Sequence, residues 1–266
     1  LLYAAYFDEA DTHGPAPTII MAGFLGSAPQ WEMFGRRLRK LQRREGFSIF
    51  HANEFKAKTG EFAGWDDTKC MKLVNDLTEL VRDHLTEGLT VHLERERYLN
   101  EYRAPPIPRK MILDSQYGVC FRACMRQLLE IIGRDDKRHR LDIVIEDGHQ
   151  NVGDCLRIFE DLKWRLKVRR GIADLLGTIT VAKKQHSAPL MVADFLASSY
   201  SMIRTSAQSG GLEYAQEAPE PPQGQAGLTF LELLPDALRQ LKADFETDRQ
   251  EAAATWRARR QPHDAR

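Results

Sequence analysis

Leu141-Asp142-Ile143-Val144-Ile145, running straight into Glu146-Asp147-Gly148, is the stretch whose reading decides the fold. All but one of its first five side chains are aliphatic, most of them β-branched, and Asp-Gly ends the run. That is the composition of a strand buried in a sheet. A helix-length segment precedes it, residues 109–132 closed by Gly133, and another follows it over residues 151–166. A buried strand between two helices is the unit from which an α/β sheet is built.

Working outward, residues 1–7 are apolar and end in Asp8-Glu9, and a turn rich in Gly, Pro and Asp follows through Pro17. Residues 18–25 are a second strand, so the chain opens with an antiparallel hairpin. Residues 31–44 have helical spacing, with Trp31, Phe34, Leu38 and Leu41 on one side. Residues 47–50 predict a short third strand before the polar His51-Ala52-Asn53-Glu54. Asp66 or Asp67 caps a helix reaching about His84, residues 89–93 are a strand, and Pro105-Pro106-Ile107-Pro108 is a rigid link. Residues 176–181 predict a strand, 188–203 a helix and 228–245 a further helix. The result is an α/β fold with a mixed central sheet flanked by helices. One domain spans residues 1–205. A flexible loop rich in Gln, Gly, Pro and Glu covers 206–227, a C-terminal helix over 228–248 packs on the same domain, and 249–266 is a disordered tail.

Composition narrows the classes. No apolar run of the 266 residues approaches the roughly 18 needed for a membrane span. The first strand reaches acid too soon, and lacks the basic leader, to be a signal peptide. The four cysteines lack zinc-site spacing and read as buried thiols of a cytoplasmic protein. There is no Walker-type phosphate loop, no Gly-x-Ser-x-Gly elbow and no His-Glu-x-x-His. Net charge is zero, yet bases cluster: Arg36, Arg37, Arg39, Lys40, Arg43 and Arg44, then Lys163, Arg165, Lys167, Arg169 and Arg170, with Lys183 and Lys184 beyond. Such clusters can follow a phosphate backbone or be ordinary solvated helix faces, and both readings stay open.

The acids carry the chemistry by where they fall. Asp8 and Glu9 close the first strand, Glu146 and Asp147 the most buried one, and Glu54 follows the short third. Asp194 sits inside the apolar Pro189-Leu190-Met191-Val192-Ala193-Asp194-Phe195-Leu196-Ala197, where an unpaired carboxylate is costly. If these strand ends and that helix meet, the carboxylates repel one another unless a cation holds them. Hard oxygen ligands suit Mg²⁺ or Mn²⁺, the ions of phosphodiester hydrolysis. Of Glu146 and Asp147, only one can face the site, because adjacent strand residues point to opposite faces.

Tyr6-Phe7-Asp8-Glu9, Phe50-His51-Ala52-Asn53-Glu54, Ile145-Glu146-Asp147 and Pro189-Leu190-Met191-Val192-Ala193-Asp194, in that order, resemble the DUF3800 family. That family is similar to the ribonuclease H-like superfamily. The resemblance implies a ribonuclease H-like sheet with Asp8 as the first-strand aspartate of the active centre, Glu54 as the acid after the short strand, Glu146 or Asp147 as the second-strand acid, and Asp194 as the acid of the late helix. His51 would orient Glu54 or handle a proton. Arg36, Arg37, Lys40, Arg44, Lys163 and Lys167 would hold the backbone of a DNA or RNA substrate. The expectation is a metal-dependent nuclease or phosphodiester hydrolase. The alternative is a non-catalytic nucleic-acid-binding or interaction protein on the same fold. A third reading gives the cleft to phosphorylated small molecules, and oligomeric state stays open.

Overall fold

Leu141, Ile143 and Ile145 are fully buried in an inner strand, β4 (Arg140–Glu146), which lies between β5 (Leu176–Ala182) and β1 (Leu2–Ala10). The computed structural model describes residues 1–10, 17–133, 139–170, 174–208 and 226–260. With β2 (Thr18–Ser27), β3 (Glu87–Glu94) and β6 (Gly227–Glu232) these strands form one six-stranded sheet in the order β5-β4-β1-β2-β3-β6. The β1–β2 and β2–β3 pairs are antiparallel and the other three pairs are parallel. At Gly23 a Cβ would stand 2.1 Å from the Tyr6 carbonyl oxygen and 2.5 Å from the Phe7 ring, so only glycine lets β1 and β2 close there.

Strand alternation then sorts the side chains into two layers. Ala5, Phe7, Met21 and Leu25 face α5 (Gln116–Gly133) and α6 (Val152–Arg170). Ile20, Ala22 and Phe24 face α1 (Ala28–Glu45), α3 (Asp67–His84) and α7 (Ala188–Gln208). Asp66 caps α3, its carboxylate accepting the Lys69 amide at 2.7 Å. The four cysteines are free, three of them buried. No described helix is long and apolar enough to cross a membrane.

Four boundaries differ from the sequence reading. Residues 47–50 are not a strand. Their amides at Ser48 and Ile49 donate to the Glu61 carboxylate rather than to a neighbouring strand, while Phe50 packs among Phe55, Phe62 and Phe195. The helix expected from residue 109 begins at Gln116. Lys110 is left-handed (φ 65°), and Ser115 Oγ accepts the Gly118 amide at 3.1 Å as a helix-capping bond. Residues 228–232 form an edge strand, not a helix, because Phe230 stacks on Tyr200 of α7 with centroids 5.2 Å apart while the backbone pairs with β3. The last helix, α8 (Pro235–Arg260), runs through much of the expected tail. Residues 209–225 of the expected loop, and 261–266, lie outside the described residues.

His92 of β3 joins this edge to α7. Its Nδ1 lies 2.7 Å from the Tyr200 hydroxyl, and its Nε2 3.6 Å from Glu232. Burial, then the Arg204 charge, pushes its pKa down to about 4, against the opposing pull of Glu232. The unfolded chain therefore binds a proton that the folded chain refuses. Stability from this group is full above pH about 6.5 and is lost as the pH falls toward 4, by at most about 3 kcal/mol. Melting temperatures measured from pH 7 to 4 are expected to fall less steeply in His92→Gln, which keeps an acceptor for Tyr200; parallel curves overturn this.

Candidate functional site

The parallel register pairs Phe7 with Ile145, which sets Asp8 of β1 beside Glu146 of β4. Both belong to the alternation that faces α7, across the sheet from Phe7 and Ile145. α7 lies over that face, its buried Met191, Val192, Phe195 and Leu196 packed in the same layer, and Asp194 points back to the strand ends. Immediately past β5, a 3-10 turn (Lys184–His186) delivers Lys184 to the same place.

There its ammonium stands at the point where the three acids converge. Lys184 Nζ is 2.8 Å from Asp8 Oδ2, 2.9 Å from Glu146 Oε2 and 2.8 Å from Asp194 Oδ2. The site is enclosed: Asp8 is 2% exposed, Lys184 7% and Asp194 8%. The Ala52 amide, at the start of α2 (Ala52–Ala57), donates to Asp194 Oδ2 at 2.9 Å, and the Glu9 amide donates to Asp8 Oδ1 at 2.7 Å. The contact of Asp8 Oδ2 with the ammonium is one of charge, without the alignment of a hydrogen bond.

Glu9 belongs to the other face of β1, where its Oε2 is buried without a hydrogen-bond partner, beside the buried Tyr117 hydroxyl. Burial, followed by the charge of Asp8, pushes the Glu9 pKa up to about 8. Burial and then the Glu146 carboxyl raise Asp8 well above the carboxylate range, in spite of Lys184. For Lys184 burial pulls downward, but Asp8 and then Asp194 outweigh it, and the amine is held firmly protonated. One ammonium thus meets three carboxyls, with Glu9 on the far side of β1, and the surplus negative charge is expressed as two carboxyls, Asp8 and Glu9, that resist ionising.

The chain matches no family model and no curated protein. What it does must then follow from this geometry. Oxygen donors from three elements suit a hard divalent ion, and the poorly satisfied Asp8 Oδ2 marks where more positive charge would be welcome. As they stand, the carboxylates are spaced around an ammonium at 2.8–2.9 Å, whereas Mg²⁺ takes oxygens at about 2.1 Å. Among the described residues no group of three acid, His or Cys side chains is drawn tightly enough to hold a metal unaided. Withdrawal of Lys184 and a closing of the three acids would complete the set.

Other residues singled out in the sequence fall elsewhere. Asp147 is exposed, so Glu146 is the member of that pair facing the cluster. Glu54 turns to Gly60, where φ is +56° and a Cβ would stand 2.1 Å from Glu54 Oε2. His51 is the half-buried residue preceding α2, whose contribution to the cluster is the next amide, that of Ala52. On α1, Arg36 pairs with Glu32 at 2.5 Å and Arg44 with Glu45 at 2.6 Å and with Asp76. Arg37 and Lys40 are exposed and form no ion pair among the described residues. Lys163 and Lys167 sit about 16 and 22 Å along α6 from its start. Lys163 donates at 2.6 Å to the Gly177 carbonyl, at the sheet edge opposite the acids. Sequence reasoning missed Lys184 as the counter-ion of the cluster, while Glu9, singled out with Asp8 at the end of the first strand, lies on the other face of β1. The available signal for Lys184 was its place two residues past a strand that ends at the same edge.

Proposed function

We propose that this chain is a divalent-metal-dependent phosphodiester hydrolase, a nuclease acting on DNA or RNA, with Asp8, Glu146 and Asp194 as the ligands of Mg²⁺ or Mn²⁺. The observation that carries the reading is the meeting of three carboxylates, the buried Asp8 and Asp194 and the half-buried Glu146, from β1, α7 and β4, on one point. Buried like charges are expensive, and a fold that gathers them at the open ends of its strands has a use for a strong cation there. The resemblance of the four motifs to DUF3800 and the ribonuclease H-like superfamily supports the same chemistry. The four free cysteines support a cytoplasmic setting.

A divalent ion in this position supplies an activated water and stabilises the leaving oxygen of a phosphodiester. The chain's own groups do the positioning. The β1–β4 register fixes Asp8 against Glu146, and the Ala52 amide holds one oxygen of Asp194. Glu9, still protonated at neutral pH, adds little further charge. Lys184, displaced from the three acids by the ion, would be a cation available to a non-bridging phosphate oxygen.

A second reading has an observation of its own, since the ammonium already occupies the point of convergence. In that reading the cluster is structural and the protein binds nucleic acid or a partner without turnover. Calorimetry with Mn²⁺ and Mg²⁺, alongside cleavage assays on single- and double-stranded DNA, RNA and hybrid, separates the two. The hydrolase reading expects metal binding and cleavage that EDTA abolishes. Strand binding that persists in EDTA, with neither metal heat nor cleavage, sinks it in favour of the second.

A further inference from the structure

Across the sheet from Asp194, but at the same strand edge, lies a polar cavity of about 520 Å³. Ile19 at the start of β2, the turn α4 (Arg95–Arg97) after β3, and the segments that lead into α5 and α6 line it. That volume lies in the range of small-ligand cavities and is far more than an inorganic anion fills. Arg95 and Arg103 stand exposed on its wall and form no ion pair among the described residues. The two acids of the wall are already neutralised. Asp114, 1% exposed, takes Arg122 Nε at 2.7 Å and Arg157 at 2.6 Å. Asp154 takes the same Arg157 at 3.0 Å and the Ser115 amide at 2.6 Å. With both wall acids engaged by arginines behind them, Arg95 and Arg103 are the cations left on the lining without an acid partner among the described residues.

The remaining lining is planar and amide-rich. The His149 ring stacks on Tyr117 with centroids 3.9 Å apart and planes within 15°, and its Nδ1 accepts the Asn151 amide at 3.1 Å. Gln116 is fixed by donating to the Leu93 carbonyl at 2.7 Å, which leaves its amide oxygen available. Carboxamides are the side chains that pair with base edges, and paired arginines suit phosphate. We infer that this cavity binds a nucleoside 5′-phosphate, with Arg95 and Arg103 on the phosphate and Gln116, Asn151 and His149 around the nucleoside. Free mononucleotides and the 5′-phosphorylated end of a strand present the same chemistry. The inference does not depend on hydrolysis at the carboxylates, which lie on the other face.

The test is calorimetry in EDTA, where no metal reaction intervenes. Wild type is titrated with the ribonucleoside 5′-monophosphates, with inorganic phosphate, and with a 5′-phosphorylated tetranucleotide. At least one monophosphate is expected to bind more tightly than inorganic phosphate, and Arg95→Ala/Arg103→Ala to bind it at least about tenfold more weakly. Both arginines are exposed, so the double variant should melt with the wild type. A tetranucleotide binding more tightly than the monophosphates assigns the site to strand ends, and the reverse order to free nucleotides; either supports the inference. Absence of binding, binding no tighter than phosphate, or an unaffected double variant overturns it.

Discussion

Lys184→Met is expected to lose about 3–5 kcal/mol of stability in EDTA, the cost of leaving a buried charge cluster without its partner. The contacts that disappear are those of one ammonium with Asp8, Glu146 and Asp194, all enclosed between the strand ends and α7. Methionine fills much the same volume, so the loss is one of charge and not of packing. Lys184 holds the raised Asp8 and Glu9 down, so without it both hold their protons more tightly. A carboxyl raised in the folded state stabilises most at low pH, and that contribution is lost as the pH climbs through the raised value. The gap between variant and wild type should therefore narrow in acid and widen toward neutrality. Urea unfolding at pH 4.5 and 7.5 reads this directly. A variant as stable as wild type at both would mean that the ammonium is not the counter-ion of the cluster.

The same variant tests whether the point can take a divalent ion. With the amine gone, Mn²⁺ has no competitor, and a ligand present at a hundred times its dissociation constant stabilises by about 2.7 kcal/mol. Mn²⁺ should restore much of what Lys184→Met lost, and should stabilise the variant more than the wild type. If Mn²⁺ leaves the variant as unstable as EDTA does, the three acids are a structural cluster and the metal assignment fails with it.

How far this centre could be read from the residues depends on the kind of signal. Asp8 and Glu146 were legible because each ends an apolar strand, and Asp194 because it interrupts an apolar helix; in each case local burial makes the acid conspicuous. The choice of Glu146 over Asp147 needed the register of β4 against β1, which only pairing sets. Lys184 was read with its neighbours as part of a basic surface, since nothing local says that a 3-10 turn folds it inward. Glu54 stood out because it follows the short apolar run 47–50, read as a strand, and matches the acid implied by the resemblance, but that run is not a strand and the segment contributes the Ala52 amide instead. The network of Asp114 with Arg122 and Arg157 joins residues 8 and 43 positions apart and left no local trace. Misread elements share a cause as well. Residues 47–50 and 228–232 are both short and apolar, and their state was decided by what lay beside them: the Glu61 carboxylate for the first, the open edge of β3 for the second.

Asp194→Asn separates the charge of the late helix from its shape. Asparagine is nearly isosteric, and its amide oxygen can still accept the Ala52 N–H that Asp194 Oδ2 accepts at 2.9 Å. The helix should dock as before. The change removes one negative charge from a cluster that carries a surplus, so the fold is expected to lose little stability and Asp8 and Glu9, both raised by the Asp194 charge, to ionise more readily. Metal binding responds in the opposite direction, because a neutral amide is a poorer ligand for a hard divalent ion than a carboxylate. Mn²⁺ heat should collapse, and any metal-dependent cleavage should fall at least about a hundredfold, the range lost when a preorganised electrostatic group leaves an active centre. Asp147→Asn, at the exposed neighbour of Glu146, should change neither. A folded Asp194→Asn protein that binds Mn²⁺ and cleaves like wild type would remove Asp194 from the ligand set. Loss of cleavage with metal binding intact would recast it as a positioning residue, acting through Lys184 and the start of α2.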